Sequence, residues 1–294
     1  MNKKINSIDL LKAIAILLVV IFHFSYQATQ ENSLRIIGSI GVSIFFIASG
    51  LALANRYSNL EKFSFKWFFK RYMKIAPIYY LAILGIILLF STQSYSENIL
   101  YNLISHFFFL NPYSKTPFTF ISPAWFLTPL ITFYLLFPFL NLLIKKYKFT
   151  LPLFFIIATI IRYTHPTFTS PNPLFYIGEF CFGIALFYNK KDLLLFSPLI
   201  LFITTIHSLM ILPFLMVYFF YIIETKIPSL KPVKFISKYT LAIFLFHESF
   251  MNIIYNKWQI YSLNKFLALI ILTISMFLII FLSNKIQNIL KQSR

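Results

Sequence analysis

The chain has 294 residues, of which 59% are hydrophobic, 20% aromatic and 12% charged, against about 25% charged in soluble domains. So much apolar surface excludes an ordinary soluble protein, and lipid is the solvent that tolerates it. The net charge of +18 does not indicate nucleic-acid binding, because the cations stand in short clusters between apolar runs and no soluble segment is long enough for such a module.

Apolar runs that read as spans fall near 8–27, 34–54, 75–91, 123–144, 150–163, 173–188, 192–206, 209–223, 238–256 and 264–286. The first follows Lys3 and Lys4 as a signal peptide does. It is too long for a signal core, carries Asp9 and Lys12, and lacks a small-x-small cleavage site, so it reads as a retained helix. The stretch 98–110 is too short and polar to span and reads as a re-entrant or interfacial helix. The runs 192–206 and 209–223 also read as one broken element. The single cysteine, Cys181, lies in the sixth run as a small buried hydrophobe, which excludes an intrachain disulfide and a cysteine-based metal site. The expected fold is an all-α integral membrane bundle of about ten transmembrane helices, one domain over residues 1–294 with no linker or internal repeat.

Orientation follows from the preference of Lys and Arg for cytoplasmic loops. Of the 26 Lys and Arg, Lys12 lies within the first helix. With the N-terminus inside, only Arg35, Lys115, Arg162, Lys257 and Lys265 fall in outer loops, and the other 20 lie inside. This asymmetry places both termini in the cytoplasm.

Ionisable side chains within spans are costly in lipid and mark functional or paired positions. The first helix carries Asp9, Lys12 and His23. Lys12 and His23 are eleven residues apart, which puts them on one helix face, about 16 Å apart along the axis. Asp9 lies three residues before Lys12, within pairing reach. Such a line of polar groups suggests a hydrated path; the alternative is an interfacial Asp9–Lys12 pair and a His23 bonded to a neighbouring carbonyl. His247 and Glu248 in the ninth run, and Glu179 in the sixth, are further candidates for a site or for structural pairing. His106 and His207 read as outer-edge residues and His165 as an outer-loop residue, solvated or interfacial.

Residues 55–77 form a basic loop in which Lys62, Lys66, Lys70, Arg71 and Lys74 alternate with aromatic residues. Two readings stand together here. One is an interfacial amphipathic helix on anionic headgroups; the other is a cytoplasmic site for a phosphate-bearing cofactor.

Five segments in order resemble the acyltransferase 3 family of membrane O-acyltransferases. The first helix has Lys12 and His23 in the places of a basic residue and a histidine with ten residues between. The second carries Gly41, Val42, Phe45, Phe46, Ser49 and Gly50 in the family's Gly-Val-x-x-Phe-Phe-x-x-Ser-Gly pattern. Arg71, Lys74, Ile75 and Pro77 resemble its Arg-x-x-Arg and Ile-x-Pro loop motif. The fourth span resembles its Trp-led helix ending in Phe-Tyr-Leu-x-x-Pro, and ISKYTLAIFLFH resembles the penultimate-helix motif ending in histidine, here His247. The resemblance runs from about residue 7 to 250. Three departures stand out. Lys12 and Lys74 replace arginines, keeping charge and losing bidentate geometry. Leu130 stands where many members carry Glu, a role that is absent or moved, with Glu179 a candidate to hold it. No fused extracytoplasmic hydrolase-like domain follows the helices, so a stand-alone enzyme is expected.

The resemblance implies an acyl-CoA donor, normally acetyl-CoA, bound from the cytoplasm, and a hydroxyl acceptor on a cell-surface polysaccharide or lipid-linked glycan. It implies His23 as general base, Lys12 as a stabiliser of charge on the donor or the oxyanion, and Arg71, Lys74 and Lys70 as ligands of the CoA phosphates. No metal is expected, and the partners are the glycan and membrane lipid, in a bacterial cytoplasmic membrane. The rival from another class is a transporter or flippase of lipid-linked sugars, disfavoured by the lack of a repeat and by only 6 glycines.

Overall fold

The computed structural model describes residues 5–29, 34–89, 99–113, 121–147, 149–167, 169–188 and 208–252, with scattered positions beyond. Among them are nine α-helices and no strand. They are α1 (Asn6–Thr29), α2 (Arg35–Tyr57), α3 (Phe65–Leu89), α4 (Ile99–Phe107), α5 (Leu127–Lys146), α6 (Thr150–Thr164), α7 (Ile177–Phe187), α8 (Leu212–Ile222) and α9 (Lys231–Asn252). Among the described residues, three segments are long and apolar enough to cross a membrane: Asn6–Gln27, Arg35–Tyr57 and Ser122–Lys146, the last beginning with a 3-10 turn before α5. The run near 192–206 lies outside the described residues. The run near 264–286 is described only at scattered positions, which are helical.

α2 is the central helix, buried from Gly38 through Ala48 and packed against α1 and α7. Its approach to α7 needs glycine on both sides. A Cβ at Gly50 would stand 2.1 Å from the carbonyl oxygen of Phe180, and one at Gly183 would stand 2.0 Å from that of Ile47. With no side chain at either position the two backbones touch, a packing mode suited to lipid, where association rests on van der Waals contact. α1 meets α2 in the same way, since a Cβ at Gly41 would lie 2.6 Å from the Ala15 carbonyl oxygen.

Polar ties lock the end of the bundle where α1 begins. The Glu224 carboxylate accepts from the backbone N–H groups of Asn6 and Ser7, at 2.5 and 2.8 Å. It thereby satisfies two orphan donors and places negative charge at the helix N-terminus. The buried Asn141 amide of α5 donates to the carbonyls of Ser58 and Leu60 and accepts from the Tyr188 hydroxyl. This holds the α2–α3 connection against α5 and α7.

Three expectations change. Of the basic stretch only residues 58–64 are a loop; its first residues end α2, and from Phe65 it is helix, continuous to Leu89, with Pro77 inside α3. His106 is buried, not solvated, and shares a 2.6 Å hydrogen bond between Nδ1 and the Tyr79 hydroxyl. The reason is the end of α4. Phe109 takes a left-handed conformation (φ 59°) and Leu110 N–H donates to Ser105 O, a terminator that turns the Phe109 ring inward onto Tyr79. Arg162, expected in an outer loop, is buried in the last turn of α6 and pairs with Glu179 of α7.

Candidate active site

A cavity of about 400 Å³ opens at the end of the bundle where α1 stops and α2 begins. His23 of α1 lines it, with Arg35 and Ser39 of α2 and Glu248 of α9. The 3-10 turn Ser122–Phe126 supplies Ser122 and Trp125, and the Ser122 hydroxyl donates to the Glu248 carboxylate. The second Glu248 oxygen, Oε2, is buried without a partner among the described residues. Thr169 and Ser170 border the cavity from a connection held by Tyr113, whose hydroxyl donates to the Pro171 carbonyl. Room for the cavity comes from small residues at the head of α2, Gly38 and Ser39, under the Phe22 ring.

His247 stands behind His23. Their ring centroids are 4.9 Å apart with the planes at 70°. His247 is fully buried, and its Nδ1 lies 2.7 Å from the Phe244 carbonyl oxygen and 3.1 Å from that of Ile243.

At the opposite end of α1, Lys12 is half-buried and lies within electrostatic range of Asp9 and Arg71. Asp9 accepts from the Ser237 hydroxyl of α9 at 2.8 Å. Arg71 of α3 is half-buried with its guanidinium carbon 4.6 Å from the Tyr57 ring centre, and its charge also reaches Tyr134 of α5. Lys70 and Lys74 are exposed on the outer surface of α3. The structure thus brings Lys12 and Arg71 together and leaves Lys70 and Lys74 flanking them.

The α1 face between the two ends is not polar. Ile16 and Val19 stand on it between Lys12 and His23, and both are buried. The expected line of polar groups therefore exists only at its ends. Glu179 lies outside both ends. Its carboxylate takes the Arg162 guanidinium and the Ser43 hydroxyl, and Arg162 also donates to the Phe175 carbonyl at 3.0 Å. Sequence reasoning counted Arg35 only as a loop charge, noted Trp125 only as the head of the Trp-led motif, and did not single out Ser122. A cation beside Gly38 and Ser39, at the head of a span, was the available signal for Arg35.

Fold and site together define a multi-pass membrane protein with a histidine-lined polar cavity at one end and converging cations at the other. The model of the acyltransferase 3 family, described as an acyltransferase domain, matches residues 5–285, and the chain belongs to this family. The match covers nearly the whole chain, beyond the stretch over which the separate motifs run. No curated protein and no solved structure matches the chain.

Proposed function

We propose that the protein is an O-acetyltransferase of a bacterial cytoplasmic membrane, moving acetyl from acetyl-CoA to a hydroxyl of a cell-surface polysaccharide or lipid-linked glycan. The observation that carries this reading is the His23 cavity, whose lining suits a sugar. It offers a carboxylate, several hydroxyls and the Trp125 ring around an imidazole, in a volume of about 400 Å³. Aromatic faces with a few convergent polar groups suit a small polyhydroxy ligand.

The donor enters from the other end. Arg71 and Lys12 bind CoA phosphates, with Lys70 and Lys74 adding charge at the entrance, and the pantetheine arm runs past Ile16 and Val19 toward His23. The reacting carbonyl must lie beside His23, some 16 Å along the helix from Lys12. Of the two roles implied for Lys12, donor binding therefore fits and oxyanion stabilisation does not. Arg35, whose charge reaches His23, is the cation placed for the oxyanion. His23 takes the proton of the acceptor hydroxyl as its oxygen attacks the thioester carbonyl. The tetrahedral intermediate collapses, the C–S bond breaks, and the imidazolium returns the proton to the CoA thiolate.

Purified protein in lipid vesicles with labelled acetyl-CoA tests the proposal. Transfer of label to added glycan, or donor hydrolysis, is expected, and His23→Ala abolishes it while CoA still binds. Arg71→Ala weakens CoA binding. Glycan movement across the vesicle without any turnover of donor would instead identify a transporter.

A further inference from the structure

His247 is not part of the cavity wall, yet it is the ring packed against the residue that is. Its Nδ1 faces two backbone carbonyl oxygens. Carbonyl oxygens only accept, so Nδ1 carries the hydrogen, and in a neutral imidazole Nε2 is then a bare lone pair. That Nε2 is buried without a hydrogen-bond partner among the described residues. A core histidine held for packing accounts for the Nδ1 bonds. It does not account for a second nitrogen left as an unused acceptor beside another imidazole, which is costly in a low-dielectric interior.

We propose that His247 is a positioning residue for His23. Its Nε2 accepts the N–H of His23, which fixes the His23 tautomer and leaves the other His23 nitrogen bare toward the cavity. This rests on the acyl-transfer reading above. The centroid separation of 4.9 Å is within reach of an N–H to N bond after a small rotation of either ring, and catalytic hydrogen bonds are often loose before substrate binds. Phe22 lies 4.7 Å from the His23 ring and Phe244 lies 5.8 Å from His247, so the pair sits among apolar rings. The charged groups in the adjoining wall are Arg35 of α2 and Glu248 of α9. When His23 takes the hydroxyl proton, its N–H still points at Nε2, and the positive charge is shared with a ring whose far side faces the Ile243 and Phe244 carbonyl oxygens. No proton passes between the two rings, and the hydroxyl proton goes to the thiolate by way of His23 alone.

Two substitutions separate positioning from packing. His247→Asn keeps an amide N–H for the carbonyls and removes the acceptor at Nε2. His247→Gln carries an amide oxygen out to about the Nε2 position. Nitrogen-15 NMR of histidine-labelled protein in bilayers, with His23 assigned by difference against His23→Gln, is expected to show one neutral tautomer in the native protein and a mixture in His247→Asn. Steady-state rates are expected to show kcat lowered about 10²-fold in His247→Asn with the acetyl-CoA KM unchanged, and partial recovery in His247→Gln. Melting followed by the reactivity of the buried Cys181 verifies that each variant folds. A His23 tautomer indifferent to His247→Asn overturns the proposal, and so does an unchanged kcat. Should the native protein transfer no acetyl group, the acyl-transfer reading falls and the NMR result alone decides the pairing.

Discussion

Replacing Arg162 by methionine removes the cation from the buried pair between α6 and α7. Arg162 is 7% exposed and Glu179 is 0%. Arg162 Nε and Nη1 and Glu179 Oε2 have no hydrogen-bond partner among the described residues. The pair is therefore desolvated without being fully bonded, the situation in which removing one partner costs about 3–5 kcal/mol while removing both is near neutral. In Arg162→Met the carboxylate keeps only the Ser43 hydroxyl at 3.3 Å. In Glu179→Met the guanidinium keeps the Phe175 carbonyl at 3.0 Å and stands 4.6 Å from the Phe175 ring centre. Arg162→Met is thus the costlier single change, and the double methionine variant falls within about 1 kcal/mol of the native protein. The assay needs no engineered label, because Cys181 is the single cysteine and is buried in α7, so a thiol-reactive dye reports unfolding. At about 2 °C per kcal/mol for a chain of this size, Arg162→Met lowers the midpoint by about 6–10 °C. A midpoint indistinguishable from native, or a double variant as unstable as the two singles added, refutes this account of the pair.

The same substitution has opposite effects at two glycines. Gly183→Ala drives a methyl into the Ile47 carbonyl and lowers the midpoint in the dye assay by more than about 3 kcal/mol equivalent. Gly85→Ala in α3 meets nothing within 4 Å and raises stability by about 0.5–1 kcal/mol. Ile16 is buried on the α1 face along which the proposed donor path runs, so Ile16→Trp is expected to abolish transfer in vesicle assays while CoA affinity, measured by calorimetry, stays native. Transfer at the native rate in that variant would place the donor path elsewhere.

Much of this arrangement was legible in sequence because it is local to one helix. Lys12 and His23 share a face by helical periodicity alone, and the cost of charge in lipid singled out His247, Glu248 and Glu179. What those residues touch was not legible, since His23 meets His247 from a helix 224 positions away. Glu179, proposed for the role vacant at Leu130, turns out to hold Arg162. The end of α6 was legible to within one residue, 163 against Thr164; what stayed hidden is that its last turn lies inside the bundle. So near the end of a span, Arg162 looks like a loop charge. His106 was misjudged for a related reason. A nine-residue helix is too short to span, yet its terminator turns it inward and buries its polar side.

The replacement of arginines by Lys12 and Lys74 makes sense once the two are separated in space. Bidentate recognition of phosphate needs a planar cation held in a fixed orientation, and only Arg71 meets that condition, stacked over Tyr57 and half-buried. Lys12 faces the same region from α1 and supplies charge, a duty that a lysine fulfils as a point cation. Lys74 is exposed on the outer face of α3, and its proposed contribution to donor binding is long-range attraction. The three positions therefore tolerate exchange unequally. Arg71→Lys weakens CoA binding about tenfold, the loss of roughly one charge-assisted hydrogen bond, and the loss persists in high salt. Lys12→Arg leaves affinity close to native, and Lys74→Ala lowers it only at low ionic strength. Binding measured by calorimetry across a salt series distinguishes these outcomes, and equal effects of Arg71→Lys and Lys74→Ala at high salt would show that the cluster acts as an undifferentiated field of charge.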